Sequence, residues 1–307
     1  MTGRNEVKEI LEKINAGKIL YDEPMSRHTS LCVGGNADAL VMIENEDQLI
    51  EIVGKLGENK IKFFPAGNLT NVIVRDGGYR GAILLLSPMK EISCEHTKGN
   101  GGLIHAQAGA GLSKVVNLSV AEELTGFEFC SGIPGSIGGA VRMNAGAYGK
   151  EMKDVIESVI VMSADGVRQT MKKEEISFGY RNTSFAADTI ILKAVFKLEK
   201  GERWKIKEKI NDILQWRQEK HPLDFPSAGS IFKNIPGQPA GRLIEDMGLK
   251  GVSAGGAQIS SKHGNFIINR DKATASDILT LIELVQFRAK QEKGVELETE
   301  VVVIGED

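Results

Sequence analysis

The chain has few cysteines and histidines, and their positions exclude the usual metal-binding patterns. Its three cysteines, Cys32, Cys94 and Cys130, are far apart and form no C-x-x-C pair. A disulfide framework or a thiolate zinc site is therefore not expected. The five histidines lack the H-x-x-x-H spacing of a metal-binding helix, so the sequence predicts no metal site.

Neither charge nor apolar residues are concentrated in a way that indicates nucleic acid or a membrane. Lys and Arg total 38 against 41 Asp and Glu, a net charge of -3, without the basic excess that phosphate backbones attract. No apolar run approaches the ~18 residues that cross a bilayer. Residues 5–14 are charged and helical in period, unlike a secretory signal. We therefore expect a cytoplasmic protein without nucleic-acid or membrane partners, for which a monomer is plausible.

Glycine, in contrast, is abundant, with 35 glycines in 307 residues against a usual ~7%. Four segments concentrate small residues between apolar runs, at 33–36, 65–71, 109–111 and 132–140. Glycine permits positive φ and lets backbone N–H groups approach a phosphate. Each segment alone is more typical of a tight turn in a β-rich domain. Four together favour a site for a cofactor that contains pyrophosphate.

The glycines do not match the common nucleotide-binding motifs. In the segment 109–114, Lys114 occupies the position where G-x-G-x-x-G requires its last glycine, and the usual early βαβ placement is absent. The sequence also lacks G-x-x-x-x-G-K-[ST], which argues against P-loop chemistry. The remaining candidate is FAD in a fold other than the Rossmann fold.

Hydrophobic periodicity predicts an α+β protein whose first two thirds are rich in strands. Two short helical patterns, 7–14 and 48–56, alternate with strand-like runs. From about residue 80 to 198 the chain is mainly strand-like, with one helical interruption at 113–124.

A polar stretch at 199–203 marks the predicted domain boundary. It precedes a helix with one apolar face, formed by Ile206, Ile210, Ile213 and Leu214. A later helix is predicted to start after Thr274 with a capping box and to end near Gly294. The alternating residues 295–304 predict a final strand.

Several motifs, in order along nearly the whole chain, make this sequence similar to a known family. In the first half they are residues 25–30 (MSRHTS) with 34–35 (GG), 74–78 (VRDGG), 132–140 (GIPGSIGGA), 143–149 (MNAGAYG) and 178–181 (FGYR). In the second half they are 226–234 (PSAGSIFKN), 240–245 (AGRLIE), 248–251 (GLKG), 255–258 (GGAQ) and 297–301 (LETEV). With these motifs the chain resembles the UDP-N-acetylenolpyruvoylglucosamine reductases.

The resemblance implies a vanillyl-alcohol-oxidase-type FAD-binding module in residues 1–199, with subdomains at about 1–75 and 76–199. A C-terminal α+β substrate-binding domain would follow in residues 203–307. It also implies conversion of UDP-N-acetylenolpyruvoylglucosamine to UDP-N-acetylmuramate in peptidoglycan synthesis, with NADPH as reductant. No His or Cys stands in an obvious flavin-tethering motif, so FAD is expected to be non-covalent.

Two flavin-binding segments follow from the resemblance. The implied FAD contacts are Gly67, Asn68, Thr70 and Asn71 in the first, and Gly132, Ile133, Pro134, Gly135, Ser136, Gly138, Gly139 and Ala140 in the second. The chain departs from the family at Leu69, where a glycine is usual, and more mildly at Ile235, where a proline is common. The exact phosphate contact of the first segment is therefore open.

Three catalytic residues are implied by their places in the family motifs. Arg181 would hold the substrate carboxylate where negative charge accumulates. Glu300 would lie near the same group and would have to be protonated to help rather than repel it. Hydride would come from the reduced flavin, and Ser230 would donate the proton that completes the reduction.

Without the resemblance these residues have ordinary interpretations. Arg181 would be an exposed arginine, Glu300 an ion-paired strand glutamate, and Ser230 a small residue in a tight turn. The predicted substrate contacts are Ser227, Lys233, Asn234 and Gln258, with Lys233 as a charge partner for the diphosphate.

Two alternative functions remain open at this level. A flavin-dependent oxidase on the same fold would pass its electrons to oxygen, but would not need Arg181, Ser230 and Glu300 at these motifs. A non-catalytic FAD-binding or redox-sensing protein would be favoured by the loss of any of the three, and all three are present.

Overall fold

The computed structural model describes residues 2–14, 17–98 and 101–307, which divide into two compact units. Unit 1 contains the described residues within 1–21, 39–68 and 81–216, and unit 2 contains 22–38, 69–80 and 217–307. Two short early segments therefore pack with the C-terminal part of the chain. The contiguous domain bounds 1–199 and 203–307 remain a prediction.

The five predicted helices are all present at about the predicted positions. In the described residues the helices are α1 Thr2–Leu11, α2 Glu46–Glu58, α3 Leu112–Ala121, α4 Ile137–Arg142, α5 Arg203–Lys220, α6 Ala240–Asp246 and α7 Ala275–Lys293. The two short helices α4 and α6 were not predicted. The capping box at the start of α7 is confirmed, and Gly294 ends this helix with a φ of +66°. None of the helices in the described ranges combines the length and the apolar composition that a bilayer crossing requires.

The strands are short, and most of them precede α5. In chain order they are β1 Ile19–Pro24, β2 Asn36–Met42, β3 Phe63–Ala66, β4 Val72–Val74, β5 Tyr79–Leu85, β6 Ile92–Thr97, β7 Gly101–Gln107, β8 Leu124–Thr125, β9 Gly146–Ala147, β10 Lys150–Glu151, β11 Ile156–Met162, β12 Arg168–Lys172, β13 Phe178–Gly179, β14 Asn182–Thr183, β15 Ile190–Lys200, β16 Ser227–Ser230, β17 Ser253–Ala254, β18 Ala257–Ile259, β19 Phe266–Asn269 and β20 Val302–Ile304. This mixture of helices and strands confirms the α+β prediction.

Two sheets dominate the first two thirds of the chain. The strand order is β1-β2-β5-β3 in the first and β12-β11-β15-β7-β6 in the second, where β8 also pairs with β15. Unit 1 has one apolar core, to which α3 contributes Val115 and β15 contributes Leu192 and Phe196, all fully buried. Each such side chain contributes about 1.5–3 kcal/mol relative to exposure, so the sheet and its helix form a stable support.

Unit 2 is built on a smaller sheet, in the order β16-β19-β18-β17, and on the parallel pair of β20 with β4. Its own core includes Phe232, Ile267 and, from α7, the fully buried Ile278 and Leu281. The first turn of α7 is held by Asp76, whose carboxylate accepts the N–H groups of residues 275 and 276 at 2.9 and 2.8 Å.

The final strand is shorter than predicted. Residues 295–301 are not in a strand, and only Val302–Ile304 form β20. The backbone changes partner within this stretch, because Thr299 bridges Phe232 in antiparallel fashion and the residues from Val302 onward pair in parallel with β4. The alternation of burial is retained at Leu297 and Val301, which explains why the pattern resembled a continuous strand.

The apolar face predicted for α5 is only partly buried. Ile206 is buried, Ile210 and Ile213 are half-buried, and Leu214 is 44% exposed. Trp204 and Trp216 on the same helix are also exposed. Helical periodicity locates the helix correctly, but it does not state how much of the apolar face the rest of the protein covers.

Candidate active site

The site residues predicted from the sequence lie in both units. Unit 1 contains Gly67, Asn68, Arg181 and the segment 132–140. Unit 2 contains the others, which are Thr70, Asn71, Ser227, Ser230, Lys233, Asn234, Gln258 and Glu300. Each unit therefore carries its own set of candidate groups.

In unit 1, two of the glycine-rich segments lie against each other. A methyl group on Gly67 would stand 1.9 Å from Ser136 Oγ, and one on Gly138 would stand 2.9 Å from Ala108 Cβ. The Gly138 N–H donates to the Ala108 carbonyl at 2.8 Å. Neither glycine has positive φ, so glycine is needed at both positions for close approach. Residues 67, 108–111 and 132–140 consequently form one continuous surface.

This surface fits the polar groups of a dinucleotide. A Cβ on Gly111 or on Gly139 would meet only a serine Oγ, at 3.9 and 3.7 Å respectively, so both backbones are open on one side. Just before the second segment, Ser131 Oγ is buried and has no hydrogen-bond partner among the described residues. Open backbone and an orphaned hydroxyl are features that a bound pyrophosphate or flavin can satisfy.

The departure from the family at Leu69 coincides with unusual backbone geometry. Leu69 has a φ of +51° and its side chain is 3% exposed. Its carbonyl accepts the Ser30 N–H at 3.3 Å, and the Ser30 hydroxyl donates to the Thr70 carbonyl at 3.1 Å. A non-glycine residue in this region costs about 1–2 kcal/mol. Burial of the leucine offsets that cost.

Arg181 lies in the two-residue turn between β13 and β14, directly after Tyr180. Its φ is +53°, a conformation that strains an arginine. The guanidinium donates to the Gly146 carbonyl at 2.7 Å and lies 4.9 Å from the centre of the Tyr180 ring. Stored backbone strain of this kind concentrates at functional positions, which supports a role for this half-buried arginine.

Asn144 holds the same hairpin, although sequence reasoning assigned it no role. Its fully buried amide donates to the Gly179 carbonyl at 2.9 Å and to the Glu151 carboxylate at 3.0 Å, and its Oδ1 accepts the Lys153 N–H at 3.0 Å. The signal in the sequence was a polar residue inside the motif 143–149. The motif was visible, but the partners of the amide were not.

Ser230 is placed by a β-bulge between β16 and β19. Ser227 is opposite Ile268 and Ser230 is opposite Phe266, so three steps on one strand face two on the other. Gly229 supplies the extra residue with a φ of +76°, and a Cβ there would meet nothing within 4 Å. Bulges turn a side chain away from its regular direction. Ser230 is therefore part of an irregular strand rather than of a tight turn.

Glu300 is fixed beside this strand through its backbone. Its N–H donates to the Ile231 carbonyl at 2.7 Å, and its own carbonyl accepts the Asn71 side-chain amide at 2.9 Å. Because Ile231 directly follows Ser230, the backbones that carry the predicted proton donor and the predicted carboxyl group lie side by side in unit 2. Asn71 serves here to hold Glu300, and its contact with FAD stays a prediction.

Asn265 is a second positioning residue that the sequence did not reveal. Its buried side chain accepts the Phe232 N–H at 2.9 Å and donates to the Phe232 carbonyl at 2.8 Å, while its backbone carbonyl accepts the Ile231 N–H at 2.8 Å. These three bonds hold the segment that follows Ser230. Both of the missed asparagines thus act on backbone groups distant in sequence.

The side chains of three of the four predicted substrate contacts already have partners within the protein. Lys233 Nζ pairs with the Glu298 carboxylate at 3.0 Å, and Asn234 Oδ1 accepts the Ala240 N–H at 3.0 Å. Gln258 accepts from Arg270 Nη1 at 2.9 Å. Ser227 is half-buried in β16. A substrate would therefore exchange places with these partners rather than meet free side chains.

Two histidines pack behind the strand that carries Ser230. The rings of His221 and His263 stack against Phe266, with centres 4.8 and 4.9 Å from it, and Phe266 is opposite Ser230. Burial, together with the positive charge of Arg217, lowers the pKa of His221 to about 4. Burial also lowers the pKa of His263. Both imidazoles are neutral at pH 7, so they pack rather than donate protons.

Two family models match the chain in sequence. One, described as a FAD binding domain, matches residues 37–172, and the other, described as the C-terminal domain of UDP-N-acetylenolpyruvoylglucosamine reductase, matches residues 221–304. These two matches confirm the predicted order, in which a FAD-binding module is followed by a C-terminal α+β domain.

Relatives match over nearly the full chain. A UDP-N-acetylenolpyruvoylglucosamine reductase of Syntrophus aciditrophicus is 46% identical over 301 residues, covering 98% of this chain and 96% of the relative. The enzyme of the same description from Caldanaerobacter subterraneus is 47% identical over 303 residues, covering 98% of both chains. The crystal structure of the reductase from Thermus caldophilus superimposes with a TM-score of 0.78 at 33% identity, covering 93% of this chain and 98% of that one.

Proposed function

The chain belongs to the UDP-N-acetylenolpyruvoylglucosamine reductase family, and on that basis we propose that it reduces UDP-N-acetylenolpyruvoylglucosamine to UDP-N-acetylmuramate with electrons from NADPH. It is a flavin-binding oxidoreductase of peptidoglycan synthesis. The proposed ligands are an NADP cofactor and a nucleotide sugar, and the proposed compartment is the cytoplasm.

The observation that carries the proposal is the junction of Ser230 and Glu300 in unit 2. The bond from the Glu300 N–H to the Ile231 carbonyl holds the backbone of Glu300 beside the bulged strand that carries Ser230. Reduction of a double bond conjugated to a carboxylate needs a proton donor for one carbon and stabilisation of the charge that develops. Ser230 supplies the proton, and Glu300, in its protonated form, donates a hydrogen bond toward the substrate carboxylate.

Arg181 supplies the positive charge in this proposal. A planar guanidinium offers two parallel donors to a carboxylate, and the strained turn fixes its direction. Its bond to the Gly146 carbonyl, at 2.7 Å, holds the guanidinium in place beside the hairpin. Arg181 thus stabilises the charge that accumulates before Ser230 donates its proton.

The residues around 67, 111 and 131–140 are proposed to hold FAD. The close approach of Gly67 to Ser136 and the open backbones of Gly111 and Gly139 support this assignment, and Ser131 Oγ adds a hydroxyl in need of a partner. When bound, FAD would carry two electrons from NADPH to the enolpyruvyl double bond. The chain's part is to orient the cofactor through backbone N–H groups and the Ser131 hydroxyl.

Lys233 is proposed to bind the diphosphate of the substrate. In the protein alone its ammonium group is paired with Glu298, whose side chain is 76% exposed. An exposed ion pair of this kind is worth only about 0–1 kcal/mol, so a diphosphate with two charges can displace the carboxylate. Ser227, Asn234 and Gln258 are proposed to complete the contacts.

An anaerobic absorbance titration tests the proposal. The purified, FAD-loaded protein is first bleached with NADPH, and UDP-N-acetylenolpyruvoylglucosamine is then added. We expect the oxidised flavin spectrum to return rapidly, together with a saturated lactyl product detected by mass spectrometry.

Two other results would overturn the proposal. Recovery of the oxidised spectrum only after air is admitted would indicate an oxidase. A protein that retains no flavin, even when refolded or purified with excess FAD, would refute the cofactor assignment itself.

A further inference from the structure

Three potential metal ligands meet at one edge of the larger sheet of unit 1. They are Cys94 and His96 on β6 and Glu122 just after α3, and their ligand atoms all lie within 4.8 Å of one another. Glu122 is 26 positions from His96 along the chain. The spacing of cysteines and histidines in the sequence therefore gave no sign of this cluster.

The geometry of β6 directs two of the ligands to the same side. Successive strand residues alternate between faces, so Cys94 and His96 share a face. The strand is at the edge of its sheet and pairs with β7, where His96 is opposite Gly102. The space beside Gly102 is filled by Leu124, whose Cδ1 would stand 2.8 Å from a Cβ there. Cys94 is half-buried against the apolar core and His96 is exposed.

Glu122 is held at the C-cap of α3. Its N–H donates to the Leu118 and Val120 carbonyls, so its backbone is anchored at the negative end of the helix. A carboxylate is unfavourable in that position, whereas a cation is stabilised there. Its Oε2 is 2.9 Å from His96 Nε2. The next residue, Glu123, is already neutralised by Lys200 at 2.9 Å, which leaves the excess negative charge at Glu122.

We propose that Cys94, His96 and Glu122 form a binding site for Zn²⁺ or a chemically similar divalent ion. Thiolate, imidazole and carboxylate are the ligands that zinc takes in proteins, and three protein ligands leave a fourth position for water. Ligand atoms bound to one zinc are separated by about 3.3–3.8 Å. Small side-chain rotations bring a cluster of this size to that spacing.

Metal binding would also change which protonation state of the Cys94 side chain is favoured, from the thiol to the thiolate. Burial, aided by the charge of Glu122, raises the pKa of Cys94 in the metal-free protein. A divalent ion compensates the carboxylate and favours the thiolate. The ion forms bonds to the Cys94 sulfur, a His96 nitrogen and a Glu122 oxygen, and it loses the water molecules that these ligands replace. The proton of the Cys94 thiol passes to the buffer.

The test uses Co²⁺ as the probe on the full-length, FAD-loaded protein after treatment with a chelator and its removal. Four-coordinate Co²⁺ absorbs at long visible wavelengths, where oxidised flavin is transparent. We expect bands that saturate at one ion per chain, release of a proton, and bleaching of the bands when Zn²⁺ is added.

Matched variants locate the ion. Cys94→Ser, His96→Gln and Glu122→Gln should each weaken Co²⁺ binding by about 100-fold or more, since changes outside the ligand set already cost about 10–100-fold. The controls are Cys32→Ser, an exposed cysteine in unit 2, and His105→Gln, a histidine of the same sheet that lies 3.8 Å from Glu95. Both controls should bind as the parent does.

Either of two results would overturn the assignment. One is the absence of Co²⁺ bands in the parent protein at millimolar probe. The other is bands that persist in Cys94→Ser and Glu122→Gln, or that disappear in the Cys32→Ser control. Retention of the flavin spectrum shows in every case that the variant is folded, so a loss of binding is not mistaken for a loss of structure.

Discussion

Arg181 in unit 1 and Gly229 in unit 2 both have left-handed backbones, with φ of +53° and +76°. At Gly229 a glycine takes this conformation at little cost, and the side chain that matters belongs to the next residue, Ser230. At Arg181, by contrast, a single residue has both the left-handed backbone and the side chain that the proposed function needs. The bulge therefore uses glycine, whereas the turn keeps an arginine and accepts strain.

We expect the largest change in rate from a substitution at the bulge. Ser230→Ala removes the proposed proton donor and should slow reoxidation of the flavin by substrate about 10²–10⁴-fold. Bleaching by NADPH should be unchanged, because that half-reaction does not need this proton. Stopped-flow absorbance measures both. The control is Ser276→Ala, an exposed serine of α7, and equal slowing of both half-reactions would contradict the role of Ser230.

For the turn, the test is the substitution Arg181→Gly, which removes the backbone strain and the guanidinium together. The free energy of unfolding should stay level or rise by up to about 1 kcal/mol, because relief of about 1–2 kcal/mol is partly offset by the flexibility of glycine in the unfolded chain. Reoxidation by substrate should slow about 10²–10³-fold, as when a charge-stabilising donor is lost.

Arg181→Lys is the matched control, since it retains the charge and the strained backbone. Urea unfolding and stopped-flow absorbance measure the two properties. If Arg181→Gly reoxidises at the parent rate, neither the guanidinium nor the strained backbone has the proposed catalytic role.

Gly229→Ala places a side chain where only the conformation opposes it. A Cβ there meets nothing within 4 Å, so the loss of stability should be the backbone cost of about 1–2 kcal/mol. In Gly179→Ala, in the hairpin of unit 1, φ is not positive and the nearest atom is 3.8 Å away, so little change is expected. Urea unfolding compares the two. Equal losses would indicate that φ is not the cause.

Leu69 has a strained backbone like Arg181, but its side chain is buried. Leu69→Ala keeps the strain and loses most of the burial, whereas Leu69→Gly loses both. We therefore expect Leu69→Gly to be more stable than Leu69→Ala by about 1 kcal/mol, the reverse of the usual order. Thermal unfolding of both variants tests this, and the usual order would mean that the backbone relaxes when the leucine is removed.

As the pH falls, the bulge at Ser230 should lose stability before the turn at Arg181 does. Burial lowers the pKa of His221 to about 4, below the ~6.5 of an unfolded histidine. The unfolded chain therefore takes up the proton first, and stability is lost as the pH falls from about 6.5 toward 4. After allowance for solvent screening, the loss at pH 5 should be about 1 kcal/mol.

Hydrogen exchange followed over this pH range separates the two regions. Protection should fall at residues 230–232, because Ser230 is opposite Phe266 and both histidine rings contact Phe266. It should hold at residues 178–183. The variant His221→Phe should remove most of the difference. Equal loss of protection in both regions would contradict the link to the histidine pair.

Local patterns predicted those parts of the fold that local interactions determine. The capping box and the glycine stop of α7 were correct because both depend on residues within one helix turn of its ends. The strand predicted over 295–304 was too long, and only 302–304 form one, because its partners, near Phe232 and in β4, are far away in sequence. Alternating burial is common to a continuous strand and to a segment that changes partner.

The candidate site shows the same division. The motifs contain Ser230 and Glu300, and the family resemblance of these motifs, rather than the residue types alone, predicts their chemistry. The amides of Asn71, Asn144 and Asn265, which hold the site's backbone, were missed or given another role because their acceptors are other main-chain carbonyls. No residue type in the sequence indicates which distant carbonyl an asparagine will find.

The sequence by itself determined the family, the α+β class and the order of the two parts, because motifs and periodicities are properties of neighbouring residues. Only the tertiary structure decided that Ser230 stands at a bulge, that Arg181 and Leu69 are strained, and that the Glu122 carboxylate meets Cys94 and His96. The physical reason is that these features depend on distances between segments remote in sequence. Such distances are set by how the sheets and helices pack.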